Sequence, residues 1–514
     1  MVCGFPDMSL PSNPKHNSSD LDARELGKLG YVQELFRTMG GFSNFAISFS
    51  IISILTGAVT LFGYGFEMGG PLQMTLGWPI VALFSLVVAL GMAELSSAFP
   101  TSGAMYHWAA ALGGKGWGWS AACFNLVALI TALAGIDYGC ALFVAPLLGI
   151  EASPDNLLWL YAAILFSHAL INHIGIRWVA FLNDVSVTIH LVGVIVVVGA
   201  LAFFAPHQPA GFLFQAINSN GRSYSWAFIL GLLQAQWTFT GFDGSAHVAE
   251  ETHDPRRLVP WGIVLSVAVS AVAGYLLLLA LVLAIRDVGQ VLHAVDRAGQ
   301  PVPAVVAILS QSLGDRAGAA LAAIAAVAMW FCGLSCVTSC SRAIYAFARD
   351  NGLPFSALWK RVSATYGTPD AAIWSTVLLS FGALIYSGAY SVVTSISVVT
   401  FYISYLIPIY LGTRSAGWQR TAVWNLGRHS RVVGYTGLLW GLFIFVVLIL
   451  PPNELAGKSL AALIIILFVL YLARARHQYH GPAWATAYLE GMRAVQTEEA
   501  PSEIGSSRTS ATLE

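Results

Sequence analysis

Charge is what this sequence has least of. Asp, Glu, Lys and Arg supply 10% of its 514 residues, against about 25% in soluble domains. So few charges cannot solvate the surface of soluble domains of this total length, and the apolar share of 57% and mean hydropathy of +0.70 point the same way. Cysteine is scarce too. The six (Cys3, Cys123, Cys140, Cys332, Cys336, Cys340) show no disulfide framework. Cys332, Cys336 and Cys340 recur every four residues on one helix face, but no His, Asp or fourth Cys stands at matching spacing. They read as small apolar packing residues, with no metal and no cofactor implied. The first forty residues lack a basic-then-apolar signal pattern. Serines near His190 and His247 lack any nucleophile, base and orienter set, which argues against an enzyme. Basic residues are scattered rather than gathered into a nucleic-acid footprint.

What the chain has is long apolar runs. A membrane span needs about 20 mostly apolar residues, and twelve runs qualify, near 43–66, 77–99, 118–147, 157–175, 180–205, 226–249, 258–285, 317–347, 370–388, 391–413, 433–451 and 459–476. The expected class is an all-α polytopic membrane protein with twelve transmembrane helices. A polar tail of residues 1–42 precedes the membrane domain of 43–476, and a second tail, 477–514, follows it. If the N-terminus is cytosolic, Arg222, Arg286, Arg297, Arg316 and Lys458 face outward and the remaining 20 of the 25 Lys and Arg face inward. That asymmetry fits the positive-inside rule, with both termini cytosolic in a cell (plasma or inner) membrane. The stretch Ala104–Leu112, after Pro100-Thr-Ser-Gly103, is expected to lie along the inner surface.

Two spans are poor helix sequence at their centres. The sixth reads Thr238-Phe239-Thr240-Gly241-Phe242-Asp243-Gly244. Its two threonines, two glycines and carboxylate leave backbone groups loose at a depth where only buried or water-lined irregularity survives. The first span carries Ser53-Ile54-Leu55-Thr56-Gly57 in the same way, five spans earlier. Interrupted segments at corresponding places in two halves point to a transporter built from inverted repeats; isolated small residues would read as helix packing. Ionisable groups in the spans are functional candidates by default. Among them are Asp243, His190 in FLNDVSVTIHLVG, Glu250 and Glu251 beyond the sixth span, and Arg342 near the inner end of the eighth. His190 reads equally as a titrating group or as a structural histidine bonded to a backbone carbonyl. Glu250 and Glu251 are expected to pair with Arg256 and Arg257 or across the inner face.

Four strings then carry a family resemblance: FSNFAISFSIISILTG (Phe42–Gly57), MAELSSAFPTSGAMYHW, TFTGFDGSAHVAEET and SCSRAIYAFARDNGLP. In this order, over about Leu35 to Leu472, they resemble the amino acid–polyamine–organocation transporters, in the amino acid/choline branch that includes GABA permeases. The resemblance implies two inverted five-helix repeats, here about 43–205 and 226–413, with helices one and six broken and helices eleven and twelve (433–476) added. It implies a substrate held at the breaks. Backbone N–H groups of Thr56 and Gly57 would meet its carboxylate, and carbonyls of Ser53 and Ile54 its amino group. Trp237, Thr240 and Gly241 would line the pocket, Trp237 as a lid; apart from the resemblance, Phe239 and Tyr402 (in SISVVTFYISY) are counted with the substrate-binding residues by their positions in the spans. Asp243 falls where some relatives carry a glutamate linked to protonation, and His190 where many carry a lysine near a vacated sodium position.

The function expected is alternating-access transport of an amino acid or GABA-like zwitterion across the bilayer, with the proton as coupling ion. The alternatives are an amino acid exchanger, a choline or polyamine transporter with an aromatic cage of Trp237, Phe239, Phe242, Trp330 and Phe331, a channel, and a non-transporting sensor.

Overall fold

A computed structural model describes residues 22–498 except 296–298, 388–389, 416 and 452–453. Cys3, the outer residue Arg297, the Asn17 sequon and the Ser/Thr/Glu-rich end lie outside the described residues. The described residues form helices and isolated bridges, with no strand. In chain order the elements used below are α1 (Gly41–Ile52), α2 (Ile54–Thr60), α3 (Phe62–Leu72), α4 (Trp78–Ala98), α5 (Met105–Gly113), α6 (Lys115–Leu147), α7 (Pro154–Ile174) and α8 (Ile176–Phe204). The second half gives α9 (Tyr224–Gly231), α10 (Leu233–Thr238), α11 (Gly244–His247), α12 (Pro255–Leu283), α13 (Ala304–Leu313), α14 (Asp315–Arg349), α15 (Asp370–Ser387) and α16 (Tyr390–Arg414). Then follow α17 (Ser430–Ile449), α18 (Glu454–Leu470) and α19 (Ala483–Glu498).

By length and composition, 10 helices among the described residues can cross a membrane. The sixth expected span is cut into α9, α10 and α11, and α15 is short, so neither reaches that length unbroken. The helices α6, α12 and α14 run for 33, 29 and 35 residues. At about 1.5 Å per residue they exceed a hydrocarbon core of about 30 Å, as their apolar runs predict.

Burial sorts the spans into a centre and a belt. The apolar window of α1–α2 is 83% buried and that of α16 is 78%, while that of α18 is 11% buried. The central helices carry Gly, Ala, Ser and Thr, which let backbones approach closely. The belt shows Ile195, Phe203, Leu439, Ile465 and Phe468 outward, as lipid-facing helices must. Helix α1 lies against α12 and α8, and α6 packs on α16 and α14. The centres of the broken helices, 46–59 and 230–251, are buried.

Two expectations need correction. The stretch 104–112 does not lie on the surface: Met105 to Leu112 of α5 are all buried, between α6, α16 and α19. MYHWAAAL has no strongly charged face to give water, and a helix apolar all round is buried. The expected N-terminal tail is also held in part against the bundle. Thr38 and Met39 donate backbone N–H to Glu251 O (3.0 and 2.9 Å), and His253 N–H returns to Met39 O.

Candidate functional site

Both expected breaks are present. The first separates α1 from α2 at Ser53, whose φ of 37° puts a non-glycine residue in the left-handed region. Such a conformation persists only where its surroundings hold it. Here His190 Nε2 lies 2.7 Å from Ser53 Oγ, which is 2.5 Å from Thr56 Oγ1. The second break runs from Phe239 to Asp243, with Gly241 at φ 79°. Its loose backbone is satisfied by α1: Ser48 Oγ donates to Phe242 O (2.7 Å) and accepts from Ser245 N–H (2.8 Å), and Asn44 donates to Ser245 O.

The breaks interlock through their glycines. A Cβ on Gly57 would stand 2.7 Å from Thr238 Cα, and one on Gly241 would stand 2.2 Å from Ile51 Cγ2. Each broken helix leaves a gap that the other fills. Between them lies a small cavity lined by Ile51, Ile52, Thr56, Gly57, Trp237 and Thr240, with Ala132, Ile136, Cys332 and Phe401. It has room for about one water, so a larger ligand requires the walls to part. No lining residue is charged.

Asp243, the last residue of the second break, is fully buried. Tyr405 donates to its Oδ1 (2.6 Å), and the Tyr405 hydroxyl in turn accepts Gly241 N–H (3.1 Å). Asn125 donates to Oδ2 (3.1 Å), and His247 Nε2 lies 3.1 Å from that oxygen. The other ring nitrogen, Nδ1, is 3.1 Å from Ser102 O. A carbonyl can only accept, so Nδ1 carries hydrogen. A proton must then also lie between Nε2 and Oδ2, on one or the other. His190 differs. Its Nδ1 donates to Ser186 O (2.8 Å) and its Nε2 accepts from Ser53, so the neutral ring satisfies every contact.

The face expected to be cytosolic is shut by buried ion pairs. Glu251 and Arg342, both fully buried, make a two-bond pair at 3.1 and 3.2 Å. Glu250 and Arg349 make another, both bonds at 2.8 Å. Ser102 ties the second pair to the Asp243 network: its N–H donates to Glu250 Oε1 and its Oγ accepts Glu250 N–H, both 3.1 Å. The N-terminal segment covers this layer. Gln33 donates to Glu250 O, Tyr31 donates to Asp350 (2.8 Å), and the Arg349 guanidinium sits 3.7 Å over the Tyr31 ring.

Burial pushes the Glu250 carboxyl up, but the Arg349 charge and the bond from Ser102 hold it below the usual carboxylate value. Asp350, also raised by burial, is held low by His107, Arg349 and Tyr31. Carboxyl groups with depressed values contribute stability above their unfolded pKa and lose it as pH falls through the folded one. Thermal stability in detergent is therefore expected to hold from neutral pH down to about 4 and to fall below that. A decline beginning near neutral pH would contradict this assignment.

The comparisons with known proteins follow this geometry. The sequence model described as amino acid permease matches residues 39–471. The chain belongs to the amino acid permease family. It is a transporter, and the family's cargo is amino acids. The permease is 34% identical to a protein named amino-acid permease BAT1 homolog from Oryza sativa subsp. japonica, over 90% of this chain and 96% of that one. It is 34% identical to amino-acid permease BAT1 of Arabidopsis thaliana (89% and 95% covered), and 29% identical to the GABA-specific permease of Saccharomyces cerevisiae (90% and 86%).

Within the permease, the structure brings Thr56, Gly57, Trp237 and Thr240 to the cavity wall. The N–H groups of Thr56 and Gly57, expected to face a carboxylate, both bond Ser53 O (2.7 and 2.9 Å). Ser53 O, expected to meet an amino group, is thereby occupied, and Ser53 and Ile54 stand at the break behind the wall. Gly241 holds the turn and its N–H goes to Tyr405. Phe239 points away and packs on Trp78 at 4.7 Å. Tyr402 is turned from the cavity to Gln236 (2.7 Å) and Ser85, while its neighbour Phe401 lines it. The five aromatics of the expected cage do not converge: Phe242 packs on Tyr405, and Trp330 and Phe331 pack on each other. Glu250 and Glu251 pair with Arg349 and Arg342 rather than with Arg256 and Arg257, which turn to Glu25 and Asp254. Sequence reasoning missed Asn125, Tyr405 and Ser102, which lack any motif of their own. His247 was legible only as the residue one helical turn after Asp243.

Proposed function

We propose that this permease takes up a small zwitterionic amino acid, with GABA in the same class, by alternating access coupled to proton entry. The observation that carries the substrate class is the uncharged cavity between two broken helices. A ligand with net charge would be left uncompensated there. A zwitterion brings its own balance and needs only peptide dipoles and hydroxyls at its two ends. The choline reading has less support, because only Trp237 and Phe401 offer aromatic faces to the cavity.

The proposed coupling group is the Asp243–His247 pair, because its contacts require a proton that the contacts of His190 do not. His190 is assigned instead to holding the Ser53 and Thr56 hydroxyls. Loss of the shared proton would set a ring lone pair against a carboxylate, and His247 is bonded to Ser102, which holds Glu250. Proton release would thus loosen the inner closure from the site side. The two-repeat architecture, residence in a plasma or inner membrane and cytosolic termini complete the reading, supported by the matched breaks and the 20 inward Lys and Arg.

The test is uptake of labelled amino acids, GABA, polyamines and choline into proteoliposomes with and without an imposed pH gradient. Gradient-driven accumulation of a zwitterion is expected. Asp243→Asn is expected to abolish accumulation while retaining counterflow of preloaded substrate. Wild-type uptake that ignores the gradient would make the permease an exchanger, and preference for choline over amino acids would overturn the substrate class.

A further inference from the structure

A second buried pair lies outside the broken helices, where α6, α7 and α14 meet. His168 Nδ1 is 3.0 Å from Asp137 Oδ2, and both side chains are fully buried. Their remaining atoms, Asp137 Oδ1 and His168 Nε2, have no hydrogen-bond partner. Gly333 lets the pair pack directly against α14: a Cβ there would stand 2.0 Å from Asp137 Oδ1 and 2.5 Å from His168 Cε1. The titratable groups around Asp137 are Tyr161 on α7, Cys140 on its own helix, and Cys332 and Cys336 on α14. All are neutral in their ordinary forms at pH 7. The Trp330 ring, 5.1 Å from the imidazole, completes the enclosure. Among the described residues no Lys or Arg forms an ion pair with Asp137.

An ionised Asp137 beside a neutral His168 would leave a net negative charge in the bundle with one oxygen unbonded, at a cost of several kcal/mol. One added proton makes the pair neutral, whichever partner carries it. We propose that Asp137 and His168 form a proton-binding site, separate from Asp243–His247, whose occupancy reaches the substrate cavity. The route is short. Ile136 and Cys332, which wall the cavity, are the chain neighbours of Asp137 and Gly333. Gaining or losing charge at the pair changes how α6 and α14 press together behind those walls. The proposal rests on the reading of the cavity as the substrate site but not on coupling at Asp243.

The experiment uses the full chain in nanodiscs and proteoliposomes. An infrared difference spectrum between acidic and alkaline buffer is expected to show an Asp137 carboxyl band, a protonated C=O or a carboxylate stretch shifted by a charged His168, that disappears in Asp137→Asn and persists in Asp243→Asn. In the Asp243→Asn background, the substrate concentration for half-maximal counterflow is expected to depend on pH, approaching about tenfold per pH unit beyond the pair's midpoint. Adding Asp137→Asn should flatten that dependence. If Asp137→Asn does not insert, His168→Gln decides: the carboxyl band should remain and its midpoint should move. A band that does not titrate, or a pH dependence unaltered by both substitutions, overturns the proposal. Failure of gradient-driven accumulation in the wild type, with the Asp137 band still titrating, would instead count against the coupling role of Asp243.

Discussion

Gly57→Val is expected to reduce uptake by about 10- to 100-fold while the protein still inserts and purifies. Any side chain at this position meets backbone as well as side chain: its Cβ would stand 2.7 Å from Thr238 Cα and 2.6 Å from Thr238 Oγ1. Backbone cannot rotate away, so α2 and α10 must separate at the place where they enclose the cavity. Overpacking of this kind costs about 1–3 kcal/mol, and each 1.4 kcal/mol is about a factor of ten in affinity. The control is Gly199→Ala on α8, where an added Cβ meets nothing within 4 Å. Labelled-substrate uptake at matched protein level checks both. Equal uptake by Gly57→Val and wild type would mean that the cavity between the breaks is not where substrate sits.

Arg342→Ala is expected to cost stability more than any other single truncation in the inner closure. It would leave Glu251 as an uncompensated carboxylate inside the protein, and breaking a buried pair from one side costs about 3–5 kcal/mol. The pair Arg342→Met with Glu251→Gln removes both charges together and should lose much less. Thermal unfolding in detergent of the two singles and the double gives the coupling between them. Additive losses would show that the two side chains do not act as a pair. The same double variant is expected to raise access from the inner face, since the closure would then rest on Glu250 and Arg349.

The breaks were legible because their cause is local. The second break falls on Thr-Gly-Phe-Asp-Gly itself, whereas the first falls at Ser53, three residues before Thr56-Gly57, which is helical in α2; a bilayer makes irregular backbone costly enough to mean something. Arg342 and Glu251 were legible as residues that need partners, but their pairing was not. Arg256 and Arg257 are nearer Glu251 in sequence, and the folded chain brings Arg342 from 91 positions away instead. Phe239 and Tyr402 were assigned to the pocket from position alone. The rotation of a helix about its axis is set by packing against its neighbours, which turned Phe239 to Trp78 and Tyr402 to Gln236. The stretch 104–112 failed for a related reason: surface or interior depends on what covers it, and α5 is covered by α19 from far along the chain.

By itself the sequence determined the class of the molecule, the approximate ends of its spans and the two points where helices stop. Each of these follows from short-range chemistry: apolar length, basic flanks and backbone propensity. Tertiary structure alone decided that Gly57 and Gly241 receive one another's helices and that Asp243 meets His247 at 3.1 Å. It also decided that Ser102 joins that pair to the inner closure. Those contacts are made between residues with no sequence relation, at distances of a few ångström that only the packed bundle sets.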